Sequence, residues 1–421
     1  MVLIFGDEVD STGPVVDGRV PVRFRGRTGT MKAAALIGDH PLECYFLDVG
    51  QGDATLIVTP GGKKILIDGG KSAGTGRMSE AEISLIWMYR LDKVTTPLVL
   101  DLVVLTHADE DHIGGLVNLV MNPKIEVRKV VHSGIAVYTA DANDDALGEV
   151  ATVDGAEYLL TRHDTIDDLD FDALHEDFKA WINVLAAEHV DYVAVQSGES
   201  IDVGDPAVTI EVLGPRVDHL TSPDRDVFAW FGDKGLTING HSVVLRLTYR
   251  GVRFLLSGDL NIEGSEHLMA DPAITAKLDA HVLKAPHHGS HEFHRPFLKA
   301  VNPQITAISS GEIPDHGHPR PIFLGAVGQS ARSGEPLLYS TALSAVFGRA
   351  EIEQVQAAAD ATGLDSNAAF ATTRQLFHKL LPGIVNVRTD GTVIYTATRV
   401  ATGYWWVAYG PLDPAPRTPG L

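Results

Sequence analysis

An α/β fold built in layers is the class this sequence predicts, and three observations carry the prediction. Short apolar runs of strand character alternate with segments of helical period. The strand-like runs gather into two β-rich halves, one between about residues 43 and 105 and one from about residue 207 onward. The chain has 421 residues, 44% of them hydrophobic and 21% charged. That composition belongs to a globular protein able to bury one large core or two smaller ones. Helices laid on sheets satisfy such a pattern.

The elements follow in order. Residues 1–42 carry scattered Gly, Pro and Arg and read as an N-terminal arm or small hairpin. Strands are expected at about 43–49, 54–59 and 64–68, with Pro60-Gly-Gly62 as a hairpin turn. Residues 79–91 have helical periodicity through Ile83, Ile86, Trp87 and Tyr89. A strand at 101–105 leads into a loop rich in His and Asp, and Ile113–Val120 reads as the helix behind it. Residues 134–195 look like an insertion with an acidic, loop-rich start and a helix from Asp170 to Ala187, a candidate for substrate or partner recognition. Strands at 207–213, 241–249 and 252–257 restore the β pattern, with Arg250-Gly251 as a turn. Residues 345–380 are Ala-rich and helical in character, a second insertion. The stretch 383–409 is alternating and aromatic (Tyr404, Trp405, Trp406) and reads as edge strands completing the domain. The Pro-rich residues 410–421 read as a disordered tail.

Composition narrows the function. The net charge of −21 argues against a general affinity for nucleic acid, because counterion release needs a basic surface. It leaves room for an enzyme that grips a short diester locally, since bound cations invert the field around a site. No apolar stretch approaches bilayer length and no leader pattern opens the chain, so no membrane partner is expected. The single cysteine, Cys44, rules out an intramolecular disulfide, and a cytoplasmic location is the expectation. Gly50-x-Gly52 lacks the spacing of a nucleotide fingerprint, and no nucleophile elbow is present.

Residues 105–115 read Leu-Thr-His-Ala-Asp-Glu-Asp-His-Ile-Gly-Gly. His107, Asp109, Asp111 and His112 thus fall within six residues, directly behind the apolar run 102–105. A rigid strand feeding a loop of nitrogen and carboxylate donors is what a metal centre requires, and the mixture suits zinc, manganese or iron better than calcium. The competing reading is a helix N-terminus capped by Asp111 with solvated histidines. Four donors in six residues weigh against it.

This loop resembles the metal motif of the metallo-β-lactamase superfamily, in the His-x-Asp-x-Asp-His-x-Gly-Gly form of the soluble hydrolase domain of ComEC-type competence proteins. Five further segments resemble that family in its order: Phe46-Leu-Asp-Val-Gly-Gln-Gly-Asp53, Ile65-Leu-Ile-Asp-Gly-Gly70, Asn239-Gly-His-Ser-Val-Val-Leu245, Phe254-Leu-Leu-Ser-Gly-Asp259 and Leu283-Lys-Ala-Pro-His-His-Gly-Ser290. The resemblance covers about residues 43–345. It implies a four-layer αββα sandwich with one or two divalent ions, zinc or manganese foremost, at one edge between the sheets. It also implies metal ligation by His107, Asp109, Asp111, His112, Asp259 and His287. Asp109 stands where most of the superfamily has histidine, which makes that part of the site harder and shifts it towards manganese or magnesium. Asp259 would bridge two ions. Asp68 would orient a ligand by hydrogen bond, the alternative being a turn-forming Asp before Gly69-Gly70. His288 and Ser290 would support ligands or meet a substrate phosphate. His241 is either a third histidine ligand or a polar loop residue. His318, in Asp315-His-Gly-His-Pro319, would contact the scissile group or donate a proton to the leaving group, the alternative being a plain loop histidine. Gln51 and Asp53 read as turn chemistry in a loop that could border the site.

Metal-assisted hydrolysis is the expected reaction, with Asp111, Asp259 and His318 as catalytic residues. The resemblance directs it to phosphodiesters and to nucleic acid. The alternatives are hydrolysis of a small carboxyl-derived substrate (a lactone or thioester) and a non-catalytic binding module. Five ligands aimed together argue against the last.

Overall fold

The computed structural model describes residues 5–414 apart from 6, 25–26, 37, 75–76, 92, 140–144, 223, 312–316, 335, 342–344, 348–382 and 400–405. Two large sheets face each other across an apolar core. The first has nine strands in the order Asp191–Ala194, Lys129–His132, Leu102–Leu105, Lys64–Ile67, Thr55–Val58, Leu42–Phe46, Val385–Thr389, Ile394–Arg399 and Trp406–Leu412. The first four of these run parallel. The second sheet has eight, running Ser200–Ile201, Val208–Gly214, Val244–Tyr249, Val252–Leu256, Val282–Lys284, Ile305–Ile308, Leu337–Ser340 and Ala345–Phe347.

Phe46, Ile65, Ile67 and Val104 from one sheet meet Leu245, Leu247, Phe254 and Val282 from the other in one buried cluster. Each outer face is covered by helices. Glu80–Tyr89, Glu110–Val120 and Glu176–Ala187 lie over the first sheet, and Ile262–Met269, Arg295–Val301 and Pro321–Ser330 over the second. This is the layered α/β class that the strand–helix alternation predicts, in the four-layer form that the family resemblance implies. Central strands buried on both faces explain the near-continuous apolar runs.

Several boundaries differ from the sequence reading. The helix expected from Asp170 starts at Glu176, because Phe171–Ala173 forms a separate 3-10 turn ahead of it. Residues 176–194 belong to the layers: Phe178, Trp181 and Leu185 enter the core, and Asp191–Ala194 pairs with Lys129–His132. The irregular part of that insertion is a hairpin, Val150–Val153 with Ala156–Leu159, docked on Asp224–Ala229. The N-terminal arm is a three-stranded sheet, Asp10–Ser11, Arg19–Phe24 and Arg27–Lys32. Residues 410–412 are not disordered but end the strand Trp406–Leu412. The helical character read at 345–380 lies outside the described residues except for the strand Ala345–Phe347. Among the described residues no helix is long and apolar enough to cross a membrane.

Candidate metal centre

The carboxyl ends of the parallel strands in both sheets converge at one edge, the usual ligand position in such sheets. Asp68 follows Lys64–Ile67, Thr106 and His107 follow Leu102–Leu105, Asp259 follows Val252–Leu256, and Lys284 ends Val282–Lys284. The sheets are tied there by a hydrogen bond from the Val243 amide to the Thr106 carbonyl, 2.9 Å.

Asp68 has a buried, left-handed backbone (φ 58°) and organises the metal loop. Its Oδ1 accepts from the Thr106 amide at 2.8 Å and its Oδ2 from the Thr106 hydroxyl at 2.7 Å. The same Oδ2 lies 2.9 Å from His112 Nδ1. With Nδ1 so engaged, His112 turns Nε2 towards Asp259 Oδ2, 3.3 Å away. Glycine makes the close packing possible. A methyl on Gly115 would stand 1.9 Å from the Gly69 carbonyl, and one on Gly52 would stand 2.3 Å from that of Asp111.

His288 is oriented in the same manner from the other sheet. Its Nδ1 lies 3.0 Å from the Ser309 carbonyl, and its Nε2 is 3.0 Å from Asp259 Oδ2 and 3.4 Å from Asp111 Oδ2. Asp53, Asp259, His112 and His288 are all buried and offer donor atoms within 4.8 Å of one another. The Nε2 atoms of His107, His112 and His288 are buried with no aligned hydrogen bond to the described residues. Buried nitrogens left this way are costly unless something else meets them. Mixed imidazole and carboxylate donors fit a divalent transition metal.

The electrostatics agree. Burial depresses His288, but Asp259 and Asp53 outweigh it and push it up to about 10. His112 is raised well above its ordinary value against burial, by Asp259 and Asp68. Asp259 is held well below the carboxylate range despite burial, by His288, His112 and Lys284. The volume between these side chains calls for positive charge.

Other predicted residues fall around this group. His107 is buried, its ring 4.0 Å from that of His112 and its Nε2 3.6 Å from Asp109 Oδ2. Asp109 is 38% exposed and Asp111 22%. Ser290 is buried, with its hydroxyl accepting from the Glu292 amide at 3.2 Å. His318 is mostly buried beside His288, ring centroids 6.0 Å apart. Burial and the charges of His288 and His287 push its imidazole down to about 3.

Two of the expected ligands, His287 and His241, stand outside the tightest group of donors. The Pro286–Gly289 turn passes through two left-handed residues, His287 (φ 44°) and His288 (φ 54°). It carries the second histidine inward, so His288 joins the group. His287 Nε2 stays 4.0 Å from Asp259, and its Nδ1 faces Glu292 at 3.3 Å. His241 is engaged elsewhere: its Nε2 meets the Ala229 carbonyl at 2.8 Å and its ring stacks on Phe231.

Two residues that sequence reasoning passed over are central. Asp53 reads as turn chemistry yet is only 2% exposed and pairs with Lys284. Lys284 is buried at the end of a core strand, and its Nζ donates to the Gly258 carbonyl at 2.8 Å. A lysine inside the apolar run Val282–Ala285 was the available signal, because a buried charge requires a partner.

A family model described as the Metallo-beta-lactamase superfamily matches residues 47–311. The chain is 25% identical over 290 residues to ComE operon protein 3 of Bacillus subtilis, covering 66% of this chain and 29% of that one. It is 49% identical over 69 residues to Recombination protein 2 of Haemophilus influenzae, covering 16% of this chain and 8% of that one. It therefore spans less than a third of the length of these curated relatives. A solved metallo-beta-lactamase from Cronobacter sakazakii is 13% identical at a TM-score of 0.27, covering 80% of this chain and 93% of that one. With more than half its length matched by the family model, and with buried histidines and aspartates converging where its strands end, the chain belongs to the metallo-beta-lactamase superfamily.

Proposed function

We propose that the chain is a metal-dependent phosphodiesterase acting on nucleic acid or a chemically similar diester. The observation that carries the hydrolase reading is the buried group Asp53, His112, Asp259 and His288, whose donor atoms converge within 4.8 Å. The printed names of relatives, a competence protein of Neisseria gonorrhoeae and Recombination protein 2 of Haemophilus influenzae, direct it to nucleic acid.

His112, His288, Asp259 and Asp53 would hold the ion, zinc or manganese by donor type, with Asp111 beside them. Such an ion acts as a Lewis acid and lowers the pKa of water. The protein's part is orientation. Asp68 and the Ser309 carbonyl fix the two rings so that Nε2 of each points inward. Asp111 is kept ionised despite burial, by His288 and His112, so it acts as an anionic donor and not as a proton store. Burial, foremost, holds the His318 imidazole down and favours its neutral form. A neutral imidazole gives one N–H to a phosphate oxygen, which supports reading His318 as a substrate contact.

The test is hydrolysis of single-stranded and duplex DNA, RNA and bis-p-nitrophenyl phosphate with added manganese, magnesium or zinc, beside Asp259→Ala. Metal-dependent cleavage, lost in the variant, is the expected result. Folded protein that cleaves none of these but opens lactones or thioesters would replace this reading with the small-substrate hydrolase.

A further inference from the structure

Lys284 is an uncommon occupant of a strand end. Leu283 and Ala285 on either side are fully buried core residues, and the lysine side chain itself is only 4% exposed. An ammonium in such a place persists only where anions and acceptors meet it. Three do: the Gly258 carbonyl at 2.8 Å, Asp259 Oδ1 at 3.4 Å and the carboxylate of Asp53.

The consequence lies in how the two aspartates divide their oxygens. Asp259 presents Oδ1 to the ammonium and Oδ2 to the Nε2 atoms of His288 and His112, at 3.0 and 3.3 Å. Asp53 also divides its oxygens, with Oδ2 on Lys284 and Oδ1 3.7 Å from His288 Nδ1, the nitrogen that faces the Ser309 carbonyl and not the inward Nε2. A carboxylate bridging two ions offers one oxygen to each cation. In this chain one of the two positions is already met by a positive charge on the polypeptide. The space left beside Lys284, between Asp53, Asp68, Thr106 and Gly258, has room for about one water. Charge points the same way. Asp53, Asp68 and Asp259 are the deeply buried carboxylates of the centre, and one ammonium with one divalent ion neutralises the three. A second ion would have to draw on His107 and on the partly exposed Asp109 and Asp111.

We propose that the Lys284 ammonium takes the place of a second metal cation, making this a centre for one divalent ion per chain. The inference rests on the metal-centre reading above, and its test separates the two. Native mass spectrometry and elemental analysis would count bound ions in the full chain saturated with Mn2+ or Zn2+, alone and as Lys284→Arg and Lys284→His. One ion is expected in the wild type and in Lys284→Arg, which keeps the charge. Two are expected in Lys284→His, which exchanges the charge for a donor. Two ions in the wild type would overturn the proposal, as would a single ion in folded Lys284→His. Should Lys284→His fail to fold, the wild-type and Lys284→Arg counts decide by themselves. Folded wild type that takes up neither metal removes the metal centre altogether, a different failure from a count of two.

Discussion

Asp68 spends its charge on orientation: Thr106 holds both its oxygens, and one of them faces His112 Nδ1. Asp68→Asn preserves the shape and removes the charge. Metal affinity is expected to fall about 10–100-fold, measured by competition with a chelating dye; unchanged affinity would mean that packing alone sets the ring. The histidines divide into two groups. His288→Ala should lower bound metal in elemental analysis, whereas His241→Phe should leave it intact, because that ring serves Ala229 and Phe231. Metal uptake should also release protons. Without a cation, Asp259 and Asp53 hold His288 up to about 10 and Asp259 and Asp68 hold His112 high, so both rings are charged at neutral pH. Ligation requires them neutral, so affinity weakens as pH falls. Calorimetry in buffers of different ionisation enthalpy should register about two protons released per chain, and none released would contradict the ligand set.

At the scale of elements, the glycine pairs 69–70 and 114–115 let the metal loop seat against the Asp68 turn, with the Gly115 amide donating to the Gly70 carbonyl at 2.8 Å. Gly115→Ala should cost about 2 kcal/mol or more through overlap with the Gly69 carbonyl, read from urea unfolding; a loss within a few tenths would show that the loop can yield. This seating was legible in the sequence, because strand, donors and glycines are contiguous between Leu105 and Gly115. The strands Leu42–Phe46, Thr55–Val58 and Lys64–Ile67 were legible too, as apolar runs broken by turn residues. The start of the helix Glu176–Ala187 was not, since the acidic residues ahead of it suit a 3-10 turn as well as a first helical turn. The Asp53–Lys284 pair joins residues from opposite sheets, and no local pattern reports a partner so distant in sequence. Nor does spacing show which of His287 and His288 faces inward. Two left-handed residues decide that.

Across the whole molecule, the charge of −21 opposes the approach of a polyanion. Salt screens that repulsion, so kcat/KM on DNA or RNA should rise with moderate ionic strength, the reverse of a basic nuclease. A steep fall with added salt would reveal a concentrated basic groove instead. The sheet order has its own bearing on biosynthesis. Leu42–Phe46 pairs on one side with Thr55–Val58, formed early, and on the other with Val385–Thr389, in a register that sets Phe46 opposite Val385. At ~5–20 residues per second, the ribosome delivers that neighbour on the order of half a minute later. Until then the strand carrying Cys44 and Phe46 stands as an unpaired edge, open to chaperones and to other nascent chains.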